Sequence, residues 1–271
     1  MDLPDVEVIK KIVVQAGDRA RELRADCESS GMDLEYKEDQ SYVTPLDRET
    51  EQYLRAEMVA LTPGFAFLGE EYGISGDTDR PLWACDPIDG TTNMVFGIPI
   101  WGVSLGLIYN QVPVLGVIYL PLLNELFWAT KGGGAWCNQQ RLQVTDQDDI
   151  HIEDTICFTS NALKTLSVER IGGRLRCLGS IAAELGYTAR GSLCATVGLH
   201  EGICDMAAGF CIATEAGCAI RYLHSESSND AGEPVDIGAL VAARRTERHF
   251  VVGPPRLIAY LQRNVFLRQV D

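Results

Sequence analysis

The stretch Trp83–Asn93 reads WACDPIDGTTN, an apolar run that ends in two aspartates bracketing a proline. Aspartate is disfavoured in strands, and two carboxylates this close repel each other unless a positive charge sits between them. Pro87 fixes φ, Gly90 tolerates an unusual backbone angle, and the Ile88 carbonyl is free to face the same spot as Asp86 and Asp89. A further acid, Glu70, ends the short apolar run FAFLGEE. If the two runs are neighbouring strands, Glu70 and Asp86 emerge at one sheet edge. Three carboxylates and a carbonyl, without His or Cys, suit Mg²⁺ or a similar hard ion rather than zinc. Thr91-Thr92-Asn93 would open the next element, whose N–H groups could take a phosphate oxygen. Asp205 stands at the entrance of CDMAAGFCIATEAG, a helical pattern that Gly217 would end. It can cap that helix, bind a cation, or do both with its two oxygens.

The elements that must position these groups follow from periodicity. Val6, Ile9, Ile12, Val13, Ala16, Ala20 and Leu23 keep helical spacing, so the chain opens with an amphipathic helix. After Ser29-Ser30-Gly31 a charged patch runs from Glu35 to Gln40. Thr44-Pro45 starts a second helix that turns Leu46, Tyr53, Leu54, Met58 and Leu61 inward and stops at Thr62-Pro63-Gly64. Ile100 to Trp128 reads as a strand meander with turns at Asn110-Gln111 and Pro121–Asn124, followed by a tight glycine turn at Lys131–Ala135. Strands at Thr155–Thr159 and Arg174–Leu178 then alternate with helices at Ser180–Gly191 and Asp205–Ala216. Val235–Ala242 is expected as a strand and Pro255–Leu267 as a closing helix. The polar Val144–Asp154 is the expected seam between an N-terminal α+β half, 1–150, and a C-terminal α/β half, 151–271.

Composition excludes several classes. The chain has 271 residues, 46% hydrophobic, enough for a large core and too apolar for disorder. A net charge of -15 gives no basic footprint for nucleic acid, so no nucleic-acid partner is expected. The nine cysteines form no Cys-x-x-Cys pair and read as reduced, buried thiols; Cys204, Cys211 and Cys218 fit helix packing better than a metal site. The apolar region from Phe96 to Leu123 is broken by Gly and Pro, whereas a spanning helix needs roughly 20 uninterrupted residues. The expectation is a cytoplasmic protein without a membrane anchor.

DPIDGTTN resembles the signature of the inositol monophosphatase family, part of a larger group with fructose bisphosphatases and bisphosphate nucleotidases. FLGEEYG, YVTPLDRETE, GGGAWCN, GSIAAELG and CDMAAGFCIATEAG resemble further family elements, in family order from about Lys37 to Gly217. The resemblance implies a layered αβαβα sandwich, often dimeric, and a lithium-sensitive, Mg²⁺-dependent phosphomonoesterase acting on a small phosphorylated sugar or polyol. Two or three Mg²⁺ ions are implied, with Mn²⁺ as a substitute and Li⁺ as an inhibitor. Carried over by position, Glu70, Asp86, the Ile88 carbonyl, Asp89 and Asp205 would be the ligands, and Thr91 with Asp47 would position the attacking water. Gly90 and Thr91 N–H groups would bind phosphate, and Ser180, Ile181, Asp89 and Asp205 would face the substrate. Lys37 and Glu71 fall near the metal cluster. None of His151, His200, His224 and His249 falls in a matching motif.

Three positions depart from the pattern: Cys204 replaces a usual Trp, Cys218 a usual Gly, and Gly198 a glutamate that inositol-preferring members use for sugar hydroxyls. Without that carboxylate, selectivity for inositol is lost. A sugar phosphate, fructose bisphosphate or a nucleotide bisphosphate then stays open, as does a regulatory member with little activity. A haloacid-dehalogenase-type phosphatase is excluded, because the position of its nucleophilic aspartate is Pro87 here.

Overall fold

The computed structural model describes residues 3–30, 34–37, 41–223 and 232–268, with side chains from 27 to 30 not described. The Cys27 thiol, His224 and the 38–40 end of the charged patch therefore lie outside the described residues. Helix α1 (Val6–Ser30) is followed by a small antiparallel pair, β1 (Glu35–Tyr36) and β2 (Tyr42–Val43). Helix α2 (Pro45–Leu61) starts where Thr44 caps it, with Pro45 in the first turn. Leu46, Leu54 and Met58 are buried as expected, whereas Tyr53 is half-buried and Leu61 is exposed on the last turn.

An eight-stranded sheet comes next: β3 (Ala66–Gly69), β4 (Gly73–Ser75), β5 (Leu82–Asp89), then, after the short helix α3 (Thr91–Val95), β6 (Gly102–Tyr109), β7 (Val112–Leu120), β8 (Glu125–Thr130), β9 (Gly134–Cys137) and β10 (Gln140–Leu142). Its order is β10-β9-β8-β7-β6-β5-β3-β4, antiparallel except for the parallel pair β3–β5. The expected hairpin turns are present, with Asn110, Gln111 and Asn124 at positive φ.

The chain then forms β11 (Thr155–Phe158), α4 (Ser160–Thr165), β12 (Leu166–Ser167), β13 (Arg174–Arg176), α5 (Ile181–Arg190), β14 (Ala195–Gly198), α6 (Ile203–Glu215), β15 (Ala219–Tyr222), α7 (Ile237–Ala243), β16 (Phe250–Gly253), α8 (Pro255–Asn264) and β17 (Phe266–Leu267). Strands β13-β11-β14-β16-β15 make a second sheet, and β12 pairs with β17. The strand expected at Val235–Ala242 is instead helix α7. Asp236 caps it by accepting from the Ala239 N–H at 2.9 Å, and Ile237, Leu240 and Val241 follow helical spacing. The closing helix stops at Asn264 rather than Leu267.

The layers are legible in the core. Ile9, Val13, Leu54 and Met58 from α1 and α2 pack on Phe67, Trp83, Val103 and Leu105 on one face of the large sheet. Its other face meets α5 and α6, which in turn pack against Phe250 and Val252 of the second sheet. Leu257, Ile258 and Leu261 of α8 cover the far side of that sheet with Ile156 and Val251. This is the αβαβα order.

Helix α6 lies directly on the large sheet. A Cβ at Gly106 would lie 2.6 Å from the Ala208 nitrogen, and one at Gly116 would lie 2.4 Å from the Ala208 oxygen. Two glycines on adjacent strands therefore let the helix backbone touch the sheet, which places its N-terminus at the end of β5. Gly106→Ala is expected to destabilise by about 1–3 kcal/mol through overpacking. Calorimetry should register a melting temperature lower by several degrees; an unchanged value would show that the helix can retreat.

Candidate active site

The parallel register pairs Gly69 with Cys85, so the next residues, Glu70 and Asp86, lie side by side where β3 ends; β5 does not end at Asp86 as expected but runs on to Asp89, with Asp86 paired to Ser104 of β6. The Glu70 N–H donates to the Cys85 carbonyl at 3.2 Å, which extends the ladder to the functional residue itself. Beyond Asp86 the β5–β6 register shifts before Asp89, so the Pro87-Ile88 bulge redirects the second aspartate. Asp205 arrives from the first turn of α6. Carboxylate oxygens of Glu70, Asp86 and Asp205 lie within 4.8 Å of one another, a set able to hold a cation. Asp205 is the third residue of α6 rather than its cap, and it reaches back to accept from the Gly202 N–H at 3.0 Å with Oδ2. Its other oxygen stays available.

The same arrangement recurs at Asp86 and Asp89. Asp86 Oδ1 accepts from the Ile88 N–H at 2.9 Å. Asp89 Oδ2 accepts from the Ala182 N–H at 2.9 Å and from the Ser180 hydroxyl. Ser180 caps α5 through the Ala183 N–H, so its hydroxyl is engaged on both sides and orients Asp89. Ile181 is buried in the core between the large sheet and α5. Gly90 begins α3 at φ 91°, and a Cβ there would lie 3.1 Å from the Ile100 carbonyl oxygen and from Ser180 Cβ.

Asp47 and Thr91 do meet. The Thr91 hydroxyl lies 3.0 Å from Asp47 Oδ1 and 2.9 Å from the Ile88 carbonyl oxygen, and its single proton serves one acceptor at a time. The other Asp47 oxygen accepts from the Thr44 N–H at 2.8 Å and from the Thr44 hydroxyl at 2.5 Å. Lys37 bridges Glu70 at 2.7 Å and Glu71 at 2.6 Å.

Electrostatics mark the cluster as unstable without a cation. Burial pushes Asp86 well above the usual carboxylate range, and Glu70, Asp205 and Asp89 push it further. Burial likewise raises Asp205 well above that range, with Glu70, Asp89 and Glu201 adding to it. Asp89 is raised by burial to about 7 despite its bonds to Ser180 and Ala182. Burial also raises Asp47, and it raises Glu71 to about 7 against the opposing pull of Lys37. Burial alone would lower Lys37, but Glu70 and Glu71 outweigh it and hold the ammonium charged.

Several residues that sequence reasoning passed over build the site. Glu51 is fully buried and accepts from the Glu71 N–H at 2.6 Å and the Tyr72 N–H at 3.3 Å, while Arg55 donates to it at 2.7 Å. It fixes the turn that presents Glu70. Asn93 donates to the Ile100 and Leu178 carbonyls, both at 2.7 Å, and ties the β5 end to the α5 entry. Glu201, raised by burial to about 7, lies within the field of Asp89. Its only sequence signal was its nearness to Asp205. A cavity of about 360 Å³ opens beside the cluster, lined by Glu70, Asp205, Cys204, His200, Arg244 and Arg245 among others. His200, which matched no motif, thus borders the site. A larger cavity of about 460 Å³, around Arg80, Gln111 and Val241, includes none of the clustered acids.

Comparison with known proteins places this geometry. The profile of the inositol monophosphatase family matches residues 5–254. An inositol-1-monophosphatase of Mesorhizobium japonicum is 34% identical over 85% of this chain and 90% of its own. A protein of Aquifex aeolicus named fructose-1,6-bisphosphatase/inositol-1-monophosphatase is 28% identical over 81% and 83%. Among solved structures, the extragenic suppressor protein SuhB of Bartonella henselae superposes with a TM-score of 0.77 at 27% identity, covering 95% of this chain and 98% of its own. With its profile matched nearly end to end and its layers shared, this chain belongs to the inositol monophosphatase family.

Proposed function

We propose that this phosphatase of the inositol monophosphatase superfamily hydrolyses the phosphate monoester of a small sugar or polyol, inositol phosphate included, in a Mg²⁺-dependent reaction. The observation that carries this reading is the convergence of Glu70, Asp86 and Asp205 oxygens within 4.8 Å. An all-carboxylate donor set with raised proton affinity fits a hard divalent ion. Glu70, Asp86, Asp89, Asp205 and the Ile88 carbonyl would hold two or three such ions. Mn²⁺ would substitute and Li⁺ would inhibit. When bound, the ions supply the positive charge that acidifies water and neutralises phosphate oxygens.

The chain's own groups do the remaining work. The Thr91 hydroxyl donates a hydrogen bond to Asp47, so a proton taken from the attacking water by the Thr91 oxygen would be matched by passage of the Thr91 proton to the Asp47 carboxylate. Asp47 keeps that orientation because Thr44 holds its other oxygen. Gly90 and Thr91 N–H groups would receive the phosphate, and the Gly90 position has no room for a side chain. Lys37 keeps Glu70 and Glu71 oriented between turnovers. In this reading 1–150 supplies most ligands, and 151–271 supplies Asp205 and the pocket wall around Ser180 and Ile181. A homodimer in the cytoplasm is the accompanying expectation; among described residues no helix is long and apolar enough to cross a membrane.

A specific observation argues against strict inositol selectivity. A Cβ at Gly198 would lie 2.4 Å from the Phe250 ring, so the wall there has no space for a longer acidic side chain. Fructose bisphosphate and nucleotide bisphosphates therefore belong in the substrate screen. Phosphate release from sugar, inositol and nucleotide phosphates, each with and without Mg²⁺, tests the reading. Asp89→Asn is expected to reduce turnover by more than the roughly 10–100-fold of outer-shell changes. Its metal-free melting temperature should hold, because one repelling charge is gone; parental turnover would remove Asp89 from the ligand set.

Metal removal has a pH signature. A carboxyl whose folded pKa exceeds its unfolded value contributes stability that is complete below about pH 4 and is lost as pH rises through the folded value. With Asp89 and Glu71 at about 7, the loss falls between about pH 4 and 8. The melting temperature of chelated protein should decline across that window, and Mg²⁺ added at the alkaline end should restore it. A profile indifferent to both would contradict the proposed ion site.

A further inference from the structure

The turn 178–180 leads into α5, and one buried acid holds it. Glu184, in the first turn of α5, is 1% exposed, and its Oε1 accepts from the Leu178 N–H at 2.9 Å and from the Gly179 N–H at 3.2 Å. We infer that Glu184 is a positioning residue: by fixing this turn it sets, through Ser180 and the Ala182 N–H, the orientation in which Asp89 meets an ion. The inference deepens the phosphatase reading and rests on its ion site.

Three side chains meet on a short stretch of backbone beyond the end of a strand. The pairing of β13 with β11 stops at Arg176, two residues before the turn. The Leu178 carbonyl accepts from Asn93 of α3 at 2.7 Å, while its N–H goes to Glu184. Gly179 turns the chain at φ 78°, and a Cβ there would lie 3.1 Å from Asn93 Oδ1. Ser180 follows at once; its hydroxyl donates to Asp89, and the Ala182 N–H donates to the same carboxylate oxygen at 2.9 Å. Glu184 therefore touches the turn, and the turn touches Asp89.

The acid is kept there at a cost. Its Oε2 has no hydrogen bond of good geometry, and the Cys157 thiol is a polar group beside it. An unsatisfied oxygen on a buried carboxylate asks for an explanation beyond packing. Reach supplies one: from the first turn of α5, glutamate spans back past the Ser180 cap to two N–H groups, and aspartate would fall one methylene short. Charge is the rival account. Burial raises the proton affinity of Asp89, and the Glu184 charge adds to it.

A clamp of this kind needs a rigid base, and α5 provides one. The Thr188 hydroxyl lies 2.9 Å from the Glu184 carbonyl oxygen and 2.8 Å from the Thr196 hydroxyl of β14. A Cβ at Gly209 of α6 would lie 2.5 Å from Leu185 Cδ1, so α5 and α6 are in close contact. Asp205 comes from α6 and Asp89 is gripped from α5, so this contact relates two acids of the site to each other.

The test separates reach from charge. Glu184→Gln keeps the length and the accepting oxygen without the charge, and Glu184→Asp keeps the charge without the length. Mn²⁺ affinity is measured by electron paramagnetic resonance on the full chain, and exchange of the Leu178, Gly179 and Ala182 amides is followed in the metal-free protein. Glu184→Gln is expected to stay within about threefold of the parental Kd, with exchange unchanged. Glu184→Asp is expected to lose about tenfold or more in affinity, as outer-shell changes do, with faster exchange at all three amides. Thr188→Val, one turn further along α5, controls for general loosening and should lower the melting temperature without moving the Kd. An affinity that follows charge, with Asp at the parental value and Gln altered, would overturn the inference. So would an unchanged Kd in both variants, or an equal loss in Thr188→Val. Should Glu184→Asp not fold, Glu184→Gln decides alone, and a loss of about tenfold there would overturn the inference. A parent protein that binds no Mn²⁺ would overturn the ion site and the inference together.

Discussion

Mutual repulsion among clustered carboxylates is the constraint around which this chain is organised. Unit like charges no more than 4.8 Å apart repel by at least about 3 kcal/mol even at a generous effective dielectric of ~20. The fold tolerates this by one repeated device. Asp86, Asp89, Asp205 and Asp47 each fix one carboxylate oxygen to a backbone N–H, from Ile88, Ala182, Gly202 and Thr44 respectively. The second oxygen is left facing the site or Thr91. Orientation thus comes from the backbone, and charge compensation is left to whatever cation the cluster attracts.

Holding four acids in place requires elements from the whole chain to meet at one point. Parallel pairing of β3 with β5 sets Glu70 beside Asp86. Gly106 and Gly116 let α6 approach the sheet closely enough for Asp205 to join them. Glu51 and Arg55, deep under the β3–β4 turn, fix the backbone of Glu71 and Tyr72. A Cβ at Gly69 would lie 2.0 Å from the Glu51 carboxylate, so the glycine before Glu70 exists to admit that acid. The buried Glu51–Arg55 pair contributes position more than stability.

The carboxylate cluster is legible in the sequence because its acids stand in or beside apolar runs. Glu70 follows the end of β3, Asp86 interrupts the apolar run of β5, and an aspartate after Pro-Ile has no ordinary role in a sheet. What was not legible depends on contacts between distant segments. Glu51 sits in RETEQ, a polar helical stretch that reads as a solvated face, and only the β3–β4 turn above it makes it internal. Ser180 was readable as a helix start but not as the group that grips Asp89. Strands β14, β15 and β16 are four residues each and carry no alternation, because both faces of their sheet are covered. Helix α7 was mistaken for a strand because Val235 is extended and buried just before Asp236 starts the turn. The approach of the 244–246 segment to the entrance of α6 depends on the bridge between Gly202 and Arg245, which no local pattern announces.

Two departures from the family pattern, Gly198 and Cys204, precede Asp205 in the chain. At Gly198, where a glutamate is usual, the Phe250 ring packs so closely that no side chain fits, and Phe250 is itself locked edge-on against Phe210. The space around Gly198 is closed by aromatic packing. At position 204, where tryptophan is usual, Cys204 borders the open cavity and its thiol reaches the Leu68 carbonyl at 3.7 Å. An indole in that position would occupy space that the cavity now holds. Aromatic packing fills the space around Gly198, whereas Cys204 leaves room beside Glu70 and Asp205. The free volume thus lies at the entrance of α6, beside Glu70 and Asp205, and not at the β14 end around Gly198.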